Sequence, residues 1–565
     1  MSRLEPLGAI TEARLGIDSR GGAAFTTALA RCGAERVAQR LWDGDHTLWK
    51  PEPTEIVNRL GWLRSPAAMR AALGHIDAFV QGVRRDAIAD VLLLGMGGSS
   101  LAPELFSTTF GTAPGHPRVS VLDCTDPGAI LAAERRSDPR TTLYLVSTKS
   151  GGTVETLSFF KYFHGLAVER LGAERAGRQF AAVTDPGSSL EATARRLKVR
   201  EVFLNDPDIG GRFSALTFFG LVPAALCGVD LGLLLDRAET MAARCAAGIP
   251  DAANPGLSLG SLTAALALAG RDKLTIVCSS RIAGFGAWAE QLIAESTGKE
   301  GKGILPVDGA RFGRGQRFGG DRVFVFLSLA EDAALDGPAG DLVAAGHPVL
   351  DLRIGDPYDL GGEFFRWEFA TAVMGHLLSV NPFDQPDVES AKIRANQALA
   401  AYREHGALPA AARQVPAGAA AEEIARLLDA ARPGDYVAVQ AFVDPSGFEK
   451  PLREFGEALG ARSGLAVTTG FGPRFLHSTG QLHKGGPPGG IFVQLVTANP
   501  VDVKIPDEFG GRAGSVGFGV LKAAQSLGDL RALEAARRRV LRVHLGDAGP
   551  AAGDLLDGIT RALRT

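Results

Sequence analysis

The chain has 565 residues, 45% of them hydrophobic, and a formal net charge of −3. A chain of this length exceeds what one hydrophobic core usually organises, so several domains are expected. Because the charge is nearly balanced and no basic block stands out, we predict neither nucleic acid nor a membrane surface as a partner. A small molecule is the expected ligand.

The amino-terminal and cysteine patterns narrow the class of protein further. Residues 1–6 lack the basic and apolar segments of a signal peptide, and the most apolar stretch, 220–235, is broken by Pro223 and Asp230. The five cysteines show no CxxC spacing, which argues against a disulfide framework or a zinc site. We therefore predict a cytoplasmic protein without a bound metal.

The first part of the chain divides into a cap and a sheet domain. Residues 1–85 carry apolar positions at helical intervals and no convincing strand, which predicts an N-terminal helical cap. In 86–250, short apolar strands alternate with helices, and this alternation predicts a parallel sheet covered on both faces. The predicted strands are 90–95, 118–123, 142–147, 179–184 and 200–204.

The rest of the chain repeats this pattern twice. Residues 251–400 predict a second sheet domain with strands at 273–278, 322–327 and 348–353. Residues 401–565 begin with an Ala-rich helical connector and continue with strands 435–443, 464–469 and 491–496 and a closing helical region at 515–540. The prediction is an α/β protein with two doubly wound parallel sheets, a helical cap and an additional C-terminal α/β portion.

Two glycine-rich bends form the strongest pattern. Gly95–Leu101 follows the first predicted strand of the sheet and Thr148–Thr153 follows the third, and each bend leads into a helix. Such bends lie where parallel sheets place ligands, and a helix N-terminus offers unpaired N–H groups and partial positive charge. Two bends of this kind predict a phosphate site.

A dinucleotide site is the alternative interpretation of the first bend. Gly95-x-Gly97-x-x-Ser100 is one residue short of the dinucleotide fingerprint, and Asp123 closes the next strand, where a ribose-binding acid can lie. The second bend favours phosphate, because Lys149 is flanked by hydroxyl residues that suit a terminal phosphate. The GxSxG match at 256–260 lacks a preceding strand and predicts only a turn into the next helix.

Three further stretches carry residues that can move protons. Gln291 and Glu295 share one face near a helix end, so Glu295 is a candidate general base, with a solvated helix-end glutamate as the alternative. Lys392 follows a Pro-punctuated helix start and, taken alone, has the character of a surface residue. His477 and His483 lie in a Gly-rich segment without neighbouring acids or cysteines, which favours proton transfer over metal binding.

Taken together, these motifs resemble the phosphoglucose isomerase family of sugar-isomerase domain proteins. The resemblance covers about 90–395 and rests on five ordered motifs, namely Gly97–Ser99, Thr148–Thr153, Gly210–Ser214 (GGRFS), Gln291–Glu295 and Phe383–Lys392. It continues around 470–485, where His477–Gln481 is similar to the HSxGQ form of the family's ring-opening motif, displaced to a point after Lys392. The C-terminal portion resembles the isomerase half of bifunctional transaldolase/phosphoglucose isomerase fusions, without a barrel-sized transaldolase segment.

The resemblance implies two sugar-isomerase domains in a homodimer that needs no cofactor. It further implies reversible isomerisation of glucose 6-phosphate and fructose 6-phosphate through a cis-enediol intermediate, in glycolysis and gluconeogenesis. Glu295 would be the base and Arg212 would stabilise the intermediate, while Lys392 and His477 would move protons during ring opening. The implied substrate-binding residues are Gly98, Ser99, Thr148, Lys149, Ser150, Gly151, Gly152, Thr153, Gln291 and Gln385.

Two alternative functions remain open at this stage. A non-catalytic sugar-phosphate-binding regulator would carry the phosphate bends without a base. A NAD-dependent oxidoreductase would use the bend from Gly95 to Ser100 for its nucleotide.

Overall fold

The computed structural model describes residues 5–7, 10–310 and 318–564. Its N-terminal segment contains strands as well as helices. Strands β1 (Glu5–Leu7) and β2 (Ile10–Gly16) form an antiparallel hairpin, and β2 pairs with 349–352 of the second sheet. The prediction of no strand before residue 85 is therefore wrong, because β2 takes its hydrogen bonds from a partner far along the chain. The helices that follow are α1 (Ser19–Ala34), α2 (Val37–Trp42) and α3 (Ser65–Arg85).

The first sheet is parallel throughout and has the strand order β4-β3-β5-β6-β7. Its strands are β3 (Asp90–Leu94), β4 (Arg118–Leu122), β5 (Thr142–Ser147), β6 (Phe180–Thr184) and β7 (Glu201–Leu204). Its helices are α4 (Leu101–Phe110), α5 (Pro127–Arg136), α6 (Val154–Leu171), α7 (Ala173–Ala176) and α8 (Ser189–Arg196). The connections after the neighbouring strands β3 and β5 run to opposite sides, so a crevice opens at their carboxyl ends.

Helices connect the first sheet to the second. They are α9 (Phe218–Cys227), α10 (Leu231–Arg244) and α11 (Pro255–Leu268). The GxSxG match at 256–260 lies inside α11, so the predicted turn is wrong. Asn254 caps this helix by accepting a hydrogen bond from the Leu257 N–H, and Pro255 occupies the first position, which starts the helix earlier than the glycines suggest.

The second sheet has the order β1-β2-β11-β10-β8-β9. Strands β8 (Lys273–Cys278), β9 (Leu305–Val307), β10 (Arg322–Leu329) and β11 (Val349–Ile354) are parallel, as predicted, and the N-terminal hairpin adds an antiparallel edge. The short strand β9 was not predicted. The helices of this part are α12 (Gly284–Thr297), α13 (Asp336–Ala344) and α14 (Leu360–Leu378).

The C-terminal portion forms a third parallel sheet, with the order β12-β18-β15-β13-β14. Its strands are β12 (Val415–Pro416), β13 (Tyr436–Phe442), β14 (Ala466–Phe471), β15 (Gly490–Ala498) and β18 (Arg539–Asp547). A separate antiparallel pair consists of β16 (Lys504–Ile505) and β17 (Val516–Gly517). The helices are α15 (Val388–His405), α16 (Ala417–Asp429), α17 (Glu449–Ser463), α18 (Gly480–Gly485), α19 (Phe518–Ala535) and α20 (Pro550–Arg564).

Three large hydrophobic cores lie in this architecture. One core joins the N-terminal helices, one face of the first sheet and the helices α9 to α12 and α14. A second covers the other face of the first sheet, and a third lies within the third sheet. The predicted closing helical region at 515–540 ends earlier, because β18 and α20 follow α19 and complete the third sheet. The domain boundaries at 85, 250 and 400 stay a prediction.

Candidate active site

A cleft of ≈ 670 Å³ opens at the carboxyl ends of β3 and β5. The bends after these strands form one wall, and α12, the start of α15 and a 3₁₀ turn at Arg474–His477 complete the others. All the predicted site residues line this cleft except Gly151 and Gly152. Gly152 lines an adjoining lobe of ≈ 370 Å³, and Gly151 turns the loop with φ +72°, where a Cβ would collide with the backbone at the start of α8.

The second bend forms a cradle for an anion. Thr148 and Thr153 place their hydroxyl oxygens 2.9 Å apart, and the Gly152 N–H donates to Ser150 Oγ at 3.2 Å. Within the described residues, the side chain of Thr153, the N-cap of α6, accepts no capping hydrogen bond. The N–H groups of the first turn of α6 therefore face a cluster of hydroxyl groups, which is an arrangement that binds phosphate.

The first bend approaches the GGR segment closely. A Cβ at Gly98 would overlap the Gly211 carbonyl oxygen, so the absence of a side chain lets the two loops touch. Ser99, which is buried, ends a 3₁₀ turn in front of α4. This packing sets Ser99 and Arg212 on the walls of one cleft.

Removing the Thr148 hydroxyl tests the cradle. Thr148→Val is expected to raise KM for a sugar phosphate roughly tenfold or more, with a smaller change in kcat, because a hydrogen bond to a charged group is lost. The matched control is Thr141→Val, an exposed threonine next to the opposite end of β5. Equal KM values for the two variants in a steady-state assay would contradict a phosphate at this bend.

Lys149 lies at the edge of the cradle. Its ammonium pairs with Asp185 and donates to the Pro207 carbonyl oxygen at 2.8 Å. Burial raises the pKa of the Asp185 carboxyl, and the Lys149 ammonium opposes this shift. Lys149 is thus held beside the cradle as a fixed positive charge.

Glu295 lies on the opposite wall of the cleft, on α12. Gln291, one turn earlier, donates from its amide nitrogen to Glu295 Oε2 at 3.2 Å and to the His477 carbonyl oxygen at 2.7 Å. The guanidinium of Arg212 lies 3.1 Å from Glu295 Oε1. Both carboxylate oxygens therefore have a partner, and the glutamate is fixed within the cleft instead of projecting from a solvated helix end.

Arg212 is buried at the centre of the site. Its guanidinium donates to Ser296 Oγ at 2.7 Å, to the Pro382 carbonyl oxygen at 2.7 Å and to Gln385 Oε1 at 3.0 Å. Burial lowers the pKa of Arg212, and Glu295 opposes the shift. An arginine nevertheless stays protonated in proteins, so a positive charge faces Glu295 and the cleft.

The third sheet supplies His477 to this cleft from the same chain. His477 ends a 3₁₀ turn, and its Nε2 lies 2.9 Å from Glu155 Oε1 in the first turn of α6. Burial acts to raise the pKa of Glu155, but the opposing effects, led by His477, hold it below its usual value. Sequence analysis missed Glu155, because an acid in the first turn of a helix is common and gives no sign of a histidine partner.

Arg474 anchors the turn that carries His477. Its guanidinium pairs with Glu104 and lies 3.0 Å from Asp123 Oδ2. Burial raises the pKa of Asp123, and Arg474 opposes this. Asp123 is thus engaged by Arg474, which removes the acid that the dinucleotide interpretation required.

Lys392 lies at the rim of the cleft, in the first turns of α15. Its ammonium is 3.8 Å from Glu389, and 56% of its side chain is exposed. Lys392 also lines the adjoining lobe together with His477. The structure therefore places Lys392 at the same opening as His477, with about half of its side chain exposed to solvent.

Two acids with raised pKa values lie on α12 and just after β9. Burial raises the pKa of Glu290 to about 8, and the Asp308 carboxyl acts in the same direction. Burial likewise raises the pKa of Asp308 to about 6. Both carboxyl groups lie near Arg474, whose positive charge opposes the two shifts.

The raised pKa of Glu290 predicts that the stability of the protein depends on pH. The folded protein holds a proton on Glu290 between its ordinary pKa of 4.5 and about 8, so stability falls as the pH rises through that interval. Glu290→Gln is expected to match the wild type in Tm near pH 5 and to exceed it near pH 9, because the amide stays neutral. Thermal unfolding at both pH values measures this, with the exposed Glu300→Gln as the control. A Tm difference that does not change with pH would contradict the prediction.

The described residues offer neither a metal site nor a membrane-spanning helix. No group of three or more His, Cys, Asp and Glu side chains in 5–7, 10–310 and 318–564 is arranged to hold a metal ion. In the same ranges, no helix is both long and apolar enough to cross a membrane.

The fold and the cleft define the class of parallel-sheet α/β proteins that open a cleft at the carboxyl ends of their strands. Comparison with known proteins narrows this class. A phosphoglucose isomerase family model matches residues 65–304. The glucose-6-phosphate isomerase of Thermosynechococcus vestitus is 30% identical over 407 residues, which cover 61% of this chain and 75% of the relative. The glucose-6-phosphate isomerase of Rubrobacter xylanophilus is 29% identical over 417 residues, which cover 63% of this chain and 91% of the relative. The chain belongs to the phosphoglucose isomerase family.

Two solved structures support the fold. A hypothetical protein of Thermus thermophilus has a TM-score of 0.55 and 28% identity, covering 68% of this chain and all of its own. A glucose-6-phosphate isomerase of Chlamydia trachomatis has a TM-score of 0.58 at 19% identity. The match covers 70% of this chain and 89% of the other, and it supports the fold. The predictions of family and fold class are confirmed, and the resemblance to fusion proteins stays a prediction.

Proposed function

We propose that this chain interconverts glucose 6-phosphate and fructose 6-phosphate as an aldose–ketose isomerase. One observation supports this most strongly. The carboxylate of Glu295, fixed by Arg212 and Gln291, lies in the same cleft as the hydroxyl-rich cradle of Thr148 and Thr153. An anion site and a positioned base in one cleft are what proton transfer on a sugar phosphate needs.

Binding begins at the phosphate. Ser99, Thr148, Ser150 and Thr153, with the N-terminus of α6, hold the phosphate oxygens, and Lys149 adds positive charge. The sugar then extends toward Glu295 and His477 across the cleft. Gln385 holds Arg212, and Gln291 holds Glu295, so both reach the substrate in fixed positions.

Ring opening precedes proton transfer between the carbons. His477 uses Nε2 for Glu155, which leaves Nδ1 to exchange a proton with the ring oxygen or its hydroxyl. Lys392, at the same opening, assists this step.

Proton transfer then converts one open-chain sugar into the other. Glu295 removes the proton from one of the two reacting carbons and returns it to the other, while a hydroxyl proton moves between the oxygens on these two carbons, so no net proton is consumed. The negative charge that develops on the enediolate oxygen is stabilised by Arg212, whose guanidinium is already buried beside Glu295.

A coupled assay tests the proposal. Purified protein is incubated with fructose 6-phosphate in the absence of nucleotide, and glucose 6-phosphate is then detected in a separate step. We expect rapid formation of glucose 6-phosphate. Binding of fructose 6-phosphate without conversion would instead indicate a sugar-phosphate-binding regulator, and conversion that requires NAD would indicate an oxidoreductase.

We further propose a cytoplasmic homodimer, as the family resemblance implies. Because His477 of one chain reaches the cleft of that same chain, the dimer is not needed to deliver this histidine. Analytical ultracentrifugation tests the dimer, and a single species with the mass of one chain would contradict it.

A further inference from the structure

Gln525 on α19 contacts the acid that holds the cleft histidine. Its amide nitrogen donates to Glu155 Oε1 at 2.6 Å, and its amide oxygen accepts from Thr125 Oγ1 at 3.0 Å. Glu155, Gln525 and Thr125 are all buried. The C-terminal portion therefore contacts Glu155 of the first sheet domain through two side chains, His477 and Gln525.

The two donors share a single oxygen of Glu155. His477 Nε2 lies 2.9 Å from Oε1 on one side, and Gln525 Nε2 lies 2.6 Å from it on the other. A buried carboxylate needs such donors, because burial penalises its charged form. The orientation of the amide is itself fixed, because an ionised Glu155 carboxylate can only accept, which turns the NH₂ group of Gln525 toward Glu155 and leaves its oxygen to accept from the Thr125 hydroxyl.

A buried ion pair fixes the position of α19. Lys522, three residues before Gln525, lies 2.6 Å from Asp126 Oδ2 and donates to Asn499 Oδ1 at 2.9 Å. Two consecutive residues after β4, Thr125 and Asp126, thus contact two residues on one face of α19. This double contact leaves Gln525 little freedom to move away from Glu155.

We propose that Gln525 is a positioning residue for the isomerase, which orients the Glu155 carboxylate and through it the imidazole of His477. This inference rests on the proposed function and assigns a task to the C-terminal portion beyond the supply of His477. Gln525 lines the lobe beside the cleft but acts through Glu155, so its effect should fall on ring opening.

A pair of substrates isolates that effect. Gln525→Leu keeps the volume and removes the amide, and we expect kcat for ring-forming fructose 6-phosphate to fall roughly tenfold or more. A 5-deoxy ketose 6-phosphate, which lacks the hydroxyl that closes the ring, should keep its rate. The matched control is Gln440→Leu, the same change at a buried glutamine of β13 that bonds to His483 and has no contact to Glu155. Equal losses on both substrates would overturn the proposal.

A second variant distinguishes a positioning role of Gln525 from a general disturbance of the fold. In Gln525→Glu, a protonated carboxyl can donate to Glu155 where the amide did, whereas an ionised one repels it. The charged groups that line the lobe with Gln525 or flank it are Glu155, His477, Glu389, Lys392, Lys484, Lys522 and Asp126. We expect the variant to approach wild-type activity on fructose 6-phosphate at low pH and to lose it as the pH rises, while Gln525→Leu stays low throughout.

The outcomes distinguish the two proposals. If the wild type does not isomerise fructose 6-phosphate, the proposed function fails. If the wild type is active and Gln525→Glu follows the wild-type pH profile, only the role of Gln525 fails. Circular dichroism of each variant at both ends of the pH range establishes that the folded protein is being compared.

Discussion

Glu295→Gln should lower turnover of glucose 6-phosphate by about two to four orders of magnitude, the usual contribution of a general base. The amide can keep the hydrogen bond from Arg212 but cannot take a proton from carbon. The cradle is untouched, so a linear sugar-acid phosphate should bind almost as tightly as to the wild type. Steady-state kinetics and isothermal calorimetry measure the two quantities.

The matched control for this substitution is Glu300→Gln. Glu300 follows the end of α12, is exposed and pairs with Lys50, so the same chemical change occurs outside the cleft. Its kinetics should equal those of the wild type. Wild-type activity in Glu295→Gln would show that another group is the base, and loss of ligand binding would show that Glu295 acts mainly in binding.

His477→Ala should chiefly harm the reaction of the cyclic substrate. In this variant Gln525 still donates to the buried Glu155, and the group proposed to exchange a proton during ring opening is removed. We expect a loss of roughly two orders of magnitude or more with fructose 6-phosphate. The 5-deoxy ketose 6-phosphate should react at a rate much closer to that of the wild type.

His405→Ala provides the comparison for this loss, because His405 is exposed at the end of α15. It should leave both rates unchanged. If His477→Ala slows the cyclic and the open-chain substrate equally, its role in ring opening is excluded.

Local patterns predicted the parts of the site that lie within single strand-to-helix bends. The bend Thr148–Thr153 and the helical spacing of Gln291 and Glu295 were visible in the sequence, because each depends on neighbours along the chain. The interpretation of Asp123 as a ribose-binding acid failed, since its partner Arg474 comes from the third sheet portion. Contacts between distant segments leave no local signal.

The same reason explains the errors in the fold. Strand β2 is short and gains its partner from β11, and no local period distinguishes it from the helices that follow. In β18, buried Leu541, Val543 and Leu545 alternate with half-buried residues, but the predicted helical region extends to 540, over the first two residues of the strand, and no strand was predicted after it. Glu155 and Gln525 were missed because each looks like an ordinary helix residue in the sequence, and only their contact in the folded chain gives them a common role.

The covalent path from the third sheet to the cleft has a consequence for the concentration dependence of the enzyme. His477 is tethered to the chain whose Glu155 it meets, so its effective concentration at the cleft is set by the fold and not by how much protein is in solution. Dilution can separate two chains but cannot remove this histidine from its own cleft. The occupancy of the proposed ring-opening group is therefore the same in a nanomolar assay and in a crowded cell.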